Sequence, residues 1–193
     1  MAGIAATRSV SLPPSRSKVL SLIAVFSALI AVSTLFSIPA PAPLGEVTWS
    51  PPIYLALSVL AGPWVGAAAT GIGSFTGEAF GIPLKGNYPI WAPGMVWARV
   101  PEALMVGWAR KRSKRVLASV MVVATVYETL AFFFPDWAFY TFGVFYGSGS
   151  TGIWPGFTAA LWDLGTLVDL VYIPVAFAVI IKAGPVFRRL GFE

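Results

Sequence analysis

Hydrophobic positions in this chain fall in long blocks, without the two-residue alternation of a half-buried strand. Residues 19–38 form an uncharged stretch long enough, at about 1.5 Å of helical rise per residue, to cross the hydrocarbon core of a bilayer. Pro39, Pro41, Pro43 and Gly45 break it. A shorter block covers residues 53–61, and Gly62-Pro63 separates it from a Gly/Ala-rich block at 64–80. Residues 81–90 (GIPLKGNYPI) read as a loop, followed by a fourth block at 91–108 and a fifth at 116–134. An aromatic and Gly-rich connection, 135–155, leads to a sixth block at 156–181. The pattern predicts an all-α integral membrane protein, a six-helix transmembrane bundle. A polar segment at 1–18 precedes a membrane domain at 19–182, and a short tail occupies 183–193.

Composition strengthens that picture. Hydrophobic residues make up 57% of the 193 positions and charged residues 11%, against roughly 25% charged in a soluble domain. Six spans leave no room for an ATPase domain or a soluble sensor. The chain has no His and no Cys. That excludes HExxH metalloproteases, Ser-His-Asp triads, thiol nucleophiles, thiolate zinc sites and disulfides, and neither a metal nor a cofactor is expected.

Charge position sets the expected topology. With the N-terminus in the cytoplasm, the inner segments hold Arg8, Arg16, Lys18, Arg110, Lys111, Arg112, Lys114, Arg115, Lys182, Arg188 and Arg189, which is eleven of the thirteen basic residues. The outer loops hold Lys85, and Arg99 lies within a span. The positive-inside rule requires this asymmetry, so both termini are expected in the cytoplasm and the basic patch ARKRSKR needs no nucleic acid to explain it. A cleaved signal peptide is the alternative for the first span, with Ala40-Pro41-Ala42 as a faint processing site. Its apolar run exceeds a signal h-region, and proline there is unfavourable.

Ionisable residues at membrane depth are the candidate chemistry: Glu78, Arg99, Glu102, Glu128, Asp163 and Asp169. Each costs a few kcal/mol at the bilayer centre unless paired or wetted. Most fall between the midplane and the outside, which describes an outward-facing polar cavity. Pairing of Arg99 with Glu102 at i,i+3, and of Arg99 with Asp163, is the purely cohesive alternative. It leaves acids in surplus, which a cationic or donor-rich ligand would match. Aromatic residues border the same side: Trp49 and Tyr54, Tyr88 and Trp91, then Trp137, Tyr140, Tyr146 and Trp154, with Trp162 nearly two turns into the sixth span. An interfacial belt explains any one of them. Their excess over the inner side, which has Trp64 and Trp108, suits a flat heteroaromatic ligand.

Small residues form stripes on two spans: Ala24-x-x-x-Ala28 with Ala31 on the first, and Gly62-x-x-x-Gly66, Gly73-x-x-x-Gly77 and Gly77-x-x-x-Gly81 on the third. Such stripes allow close helix approach. Internal packing and docking to a second membrane subunit both remain open for the alanines.

With AVFSALIAV in the first span and the segment WSPPIYLALSVLAGPWVGAAATGIGSFTGEA, the chain resembles the substrate-binding S component of energy-coupling factor transporters, the vitamin-uptake branch of the ABC systems. The resemblance covers nearly the whole chain. It implies a ligand site near the extracellular side, built from spans 4–6 and the outer loops. It also implies that Ala24 and Ala28 contact a transmembrane coupling subunit, which works with two ATPase subunits in the plasma membrane. The N-terminal His of nickel and cobalt members is missing, so metal uptake is not expected. The expected function is capture of a water-soluble vitamin or related micronutrient for ATP-driven uptake, without catalysis. The expected site residues are Trp49, Glu78, Tyr88, Trp91, Arg99, Glu102, Glu128, Trp137, Trp162 and Asp163. A self-contained small transporter or channel is the alternative, and an intramembrane enzyme using Glu102 and Asp163 a more distant one.

Overall fold

The structure, a computed structural model, describes residues 14–39, 46–144 and 151–192. Tyr146, the Ala40-Pro41-Ala42 segment and most of the N-terminal polar segment lie outside the described residues. Helix α1 (Arg16–Leu35) is followed by a two-residue antiparallel pairing of β1 (Ile38–Pro39) with β2 (Glu46–Val47). Then come α2 (Ser50–Ala61), α3 (Pro63–Lys85), α4 (Trp91–Trp108) and α5 (Lys114–Thr141). The sixth membrane element is composite: α6 (Ile153–Ala160), a 3-10 segment (Leu161–Val171) and α7 (Tyr172–Arg189) run on without a break. The result is an all-α membrane bundle.

Among the described residues, three helical runs are long and apolar enough to cross a membrane by themselves: Arg16–Leu35, Lys114–Thr141 and Ile153–Arg189. The other three of the six expected spans owe their place to the bundle. Helix α2 has twelve residues, most of them buried. Helix α3 is rich in Gly, Ala, Ser and Thr, and α4 carries Arg99 and Glu102 on its buried side. Neighbouring helices cover these polar and small faces, so they need little lipid compatibility of their own.

Two expected loops are partly helical. The reading of 81–90 as a loop fails for 81–85, because α3 continues through Pro83 to Lys85 and stops at Gly86, whose left-handed φ of 76° ends the helix. The connection expected from residue 135 begins only after Thr141, because α5 runs straight through Pro135. Proline inside a helix deprives the carbonyl four residues earlier of its donor, and lipid cannot supply one. Two side chains repair the loss. The Trp97 indole Nε1 donates to the Ala131 carbonyl, four residues before Pro135, at 3.0 Å. The Tyr127 hydroxyl donates to the Trp97 carbonyl, four residues before Pro101, also at 3.0 Å. Helices α4 and α5 thus mend each other's proline gaps.

The glycine stripe of α3 is internal packing. Helix α3 sits between α1 and α4. A Cβ on Gly73 would stand 2.6 Å from the Ser27 carbonyl oxygen, and one on Gly77 2.6 Å from the Ala31 oxygen. Gly66 is likewise closed against Ser58 of α2. On α1 the buried residues are Ser27, Ile30 and Thr34, toward α3, while Ala24 and Ala28 are exposed. One end of the bundle gathers aromatic contacts: Trp64 on Trp108 at 6.3 Å, and Phe187 on Phe26 at 6.2 Å. At the opposite end Lys85 Nζ donates to Ser37 Oγ at 2.7 Å, joining α3 to the end of α1.

Candidate functional site

The buried face of α5 follows helical spacing through Leu117, Met121, Ala124, Thr125, Glu128, Thr129, Phe133 and Asp136, so the turns that bury its apolar residues also bring two carboxylates inside. On α4 the same logic buries Ala98, Arg99, Glu102 and Ala103. The two faces meet in a polar core. Arg99 Nε donates to Glu128 Oε1 at 2.8 Å, with both side chains shut off from solvent. Arg99 Nη1 reaches Ser50 Oγ at 3.1 Å and Thr34 Oγ1 and Ser74 Oγ at 3.4 Å. One guanidinium therefore touches α1, α2, α3 and α5. The expected partners of Arg99 differ from these. Glu102 is held instead by the Tyr54 hydroxyl at 2.6 Å and by Thr125 Oγ1 at 3.2 Å. Its i,i+3 neighbour Arg99 reaches across to α5, and Asp163 forms no ion pair with Arg99.

Beside this core lies a cavity of about 380 Å³, toward the lower end of the usual range for small-molecule sites. Of the residues expected to form the site, Glu78, Trp91, Arg99, Trp162 and Asp163 line it. Glu102 and Glu128 are fully buried behind it, in the polar core. Tyr88 stacks edge-on against Trp91, 5.5 Å between ring centres, and so backs the wall. Trp49 and Trp137 stand outside the lining. Trp49 packs on Tyr172 at 5.6 Å. Trp137 belongs to a ring cluster with Phe133 and Phe157 and donates to the Ile153 carbonyl at 3.0 Å.

Other lining residues were absent from the expected site: Thr34, Thr48, Asn87, Met95, Phe132, Asp136, Tyr140, Ala159, Thr166 and Asp169. Asn87 donates through Nδ2 to Glu78 Oε1 and orients that acid. Asp136 directly follows Pro135, and reading that proline as the end of the span hid it. Asp169 is one of the intramembrane acids named from the sequence but not one of the expected site residues. The 3-10 backbone changes this. With three residues per turn, side chains at i, i+3 and i+6 eclipse, so Asp163, Thr166 and Asp169 stand in one file along the cavity wall. Asp163 Oδ2 is buried there without a hydrogen-bond partner among the described residues.

The wall thus combines aromatic faces from Trp91, Phe132, Tyr140 and Trp162 with the carboxylates of Glu78, Asp136, Asp163 and Asp169. An apolar-skinned membrane bundle encloses a cavity of small-molecule size. Residues 15–183 match the family described as ECF-type riboflavin transporter, S component, and the chain belongs to that family. It is a family of transporter subunits for vitamin uptake, which work with other ECF transporter subunits. Comparison with the curated proteins finds no match.

Proposed function

We propose that this chain captures riboflavin from outside the cell and holds it in the 380 Å³ cavity. A transmembrane coupling subunit and two ATPase subunits would then drive its release inward across the plasma membrane. The observation that carries this reading is the lining, in which flat aromatic faces and acceptor carboxylates share one small space. Riboflavin is a flat, uncharged heteroaromatic with a polyhydroxyl side chain. Its ring suits Trp91, Phe132 and Trp162, and its hydroxyl donors suit Asp136, Asp163 and Glu78. The family to which the chain belongs supports the same ligand. Coupling through Ala24 and Ala28 is consistent with their exposure on the lone subunit and with the close approach that small residues allow.

Riboflavin titration of the purified subunit, followed by quenching of flavin fluorescence, tests the proposal. One saturable site is expected, with affinity about ten- to a hundredfold weaker in Trp162→Ala and in Asp163→Asn, since each loses a buried ligand contact. Absence of saturable quenching in a well-folded wild-type sample would overturn it.

A further inference from the structure

The inner part of the cavity wall holds two buried ionic groups that the protein leaves incompletely engaged. Arg99 is 4% exposed and lines the cavity. Its Nε is taken by Glu128 and its Nη1 by Thr34, Ser50 and Ser74. Nη2, with two N–H donors, has no partner among the described residues. Asp169 is 6% exposed and lines the same cavity. Its carboxylate takes part in no ion pair or side-chain hydrogen bond among the described residues. The nearby hydroxyl of Thr166 is committed to Thr129 Oγ1 and the Asp163 carbonyl, each at 2.7 Å. Asp169 and Arg99 line the same cavity, yet they do not meet as an ion pair.

Buried donors and acceptors are nearly always satisfied, and charged ones most of all. Here a pair of donors and an acceptor line one small space. The group that completes them carries acceptors for the guanidinium beside a donor for the carboxylate, held in a fixed plane. A cyclic imide edge, C=O, N–H, C=O, presents that pattern. A sugar-like chain can supply both functions too, but only by freezing several rotors. It finds closer matches in Glu78, Asn87, Asp136 and Asp163, four polar side chains further along the same wall.

We infer that Arg99 Nη2 and Asp169 form a clamp for the imide edge of a pyrimidinedione ring, so that a flavin enters that edge first and leaves its hydroxyl chain among the remaining acids. The clamp rests on the riboflavin reading above and adds the orientation of the ligand and the residues that read its ring. Its chemistry is hydrogen bonding alone: Asp169 accepts from the ring N–H, and Arg99 donates to a ring carbonyl.

The test compares riboflavin with N3-methylriboflavin, which lacks the imide proton, on wild type and on Asp169→Asn. Both proteins are first checked for equal thermal stability in detergent. On wild type the methyl analogue is expected to bind about tenfold or more weaker. In Asp169→Asn that ratio is expected to shrink severalfold, because the group that reads the proton has gone. Lumiflavin, with the imide edge but no hydroxyl chain, is expected to keep the discrimination against its own N3-methyl derivative. Equal wild-type affinity for both riboflavins overturns the clamp and leaves the vitamin assignment standing. An undiminished ratio in Asp169→Asn also overturns it. Should wild type bind no flavin, the vitamin assignment falls, and the clamp with it.

Discussion

The Tyr127 hydroxyl on α5 donates to the Trp97 carbonyl on α4, the acceptor that Pro101 leaves without its helical partner. In a bilayer no water replaces that donor, so Tyr127→Phe is expected to destabilise the bundle by about 1–3 kcal/mol. In a Pro101→Ala background the helix can supply its own N–H, and Tyr127→Phe should then cost little. A double-mutant cycle on thermal unfolding in detergent reads this coupling. Equal losses in both backgrounds would show that the hydroxyl contributes only general packing.

Glycine 73 is expected to tolerate no side chain. Its Cβ would meet the backbone oxygen of Ser27 at 2.6 Å, and a main chain cannot move aside as a side chain can. Gly73→Ala should cost about 1–3 kcal/mol by forcing α1 away from α3. Gly94→Ala is the control, because its nearest neighbour is an indole carbon of Trp97 at 3.6 Å, an ordinary contact. If melting temperatures show the two variants equally stable, the α1–α3 interface is looser than its geometry indicates.

Helix α1 turns Ser27, Ile30 and Thr34 inward and leaves Ala24 and Ala28 exposed. Ala28→Trp is therefore expected to abolish vitamin uptake in cells while flavin binding by the isolated subunit stays within about twofold of wild type. Parallel loss of both activities would place Ala28 in the packing of the subunit itself.

The two buried glutamates should behave differently. Glu128→Gln removes the carboxylate that forms an ion pair with the buried Arg99, a change that costs about 3–5 kcal/mol. Glu102 is held by hydroxyl donors on separate oxygens, Tyr54 on Oε2 and Thr125 on Oε1. In a glutamine the amide oxygen accepts from one of them, and the amide N–H group donates to the hydroxyl oxygen of the other. Glu102→Gln is therefore expected to be near neutral in thermal stability, and a drop as large as that of Glu128→Gln would mean that its charge is required.

Much of this architecture is legible in the chain because membrane spans announce themselves by uninterrupted apolar length. The fourth block, 91–108, coincides with α4. The elements misjudged are those where a local rule yields to its surroundings. Pro83 and Pro135 signal breaks, yet the bundle carries α3 and α5 through both. The 3-10 segment escaped notice because a sequence window separates a period of two from 3.6 far better than 3.0 from 3.6. At about 3.6 residues per turn, Asp169 falls on a different face from Asp163. The partners of Arg99 were unreadable for another reason: Thr34, Ser50 and Ser74 are unremarkable residues on three other helices, gathered by tertiary geometry alone. The position of Ala24 and Ala28 relative to Ser27 needed the packing of α1 on α3, since all of them recur at helical spacing.

The ion pair between α4 and α5 also bears on how the chain is made. Arg99 lies at the middle of α4, where an inserting segment incurs about 2.5–3.5 kcal/mol for an arginine, and Glu102 adds a second charged group to the same segment. Neither finds its α5 partners until Glu128 and Thr125 have been synthesised. Biosynthesis then favours release of α4 and α5 into the bilayer as a hairpin, closed by the short turn at 109–113, over the entry of α4 alone. A nascent chain ending at Ser113 is expected to insert its fourth segment poorly in a glycosylation-tag assay, and extension through Thr141 should restore it. Efficient insertion of the shorter chain would mean that the earlier helices already shelter the arginine during translation.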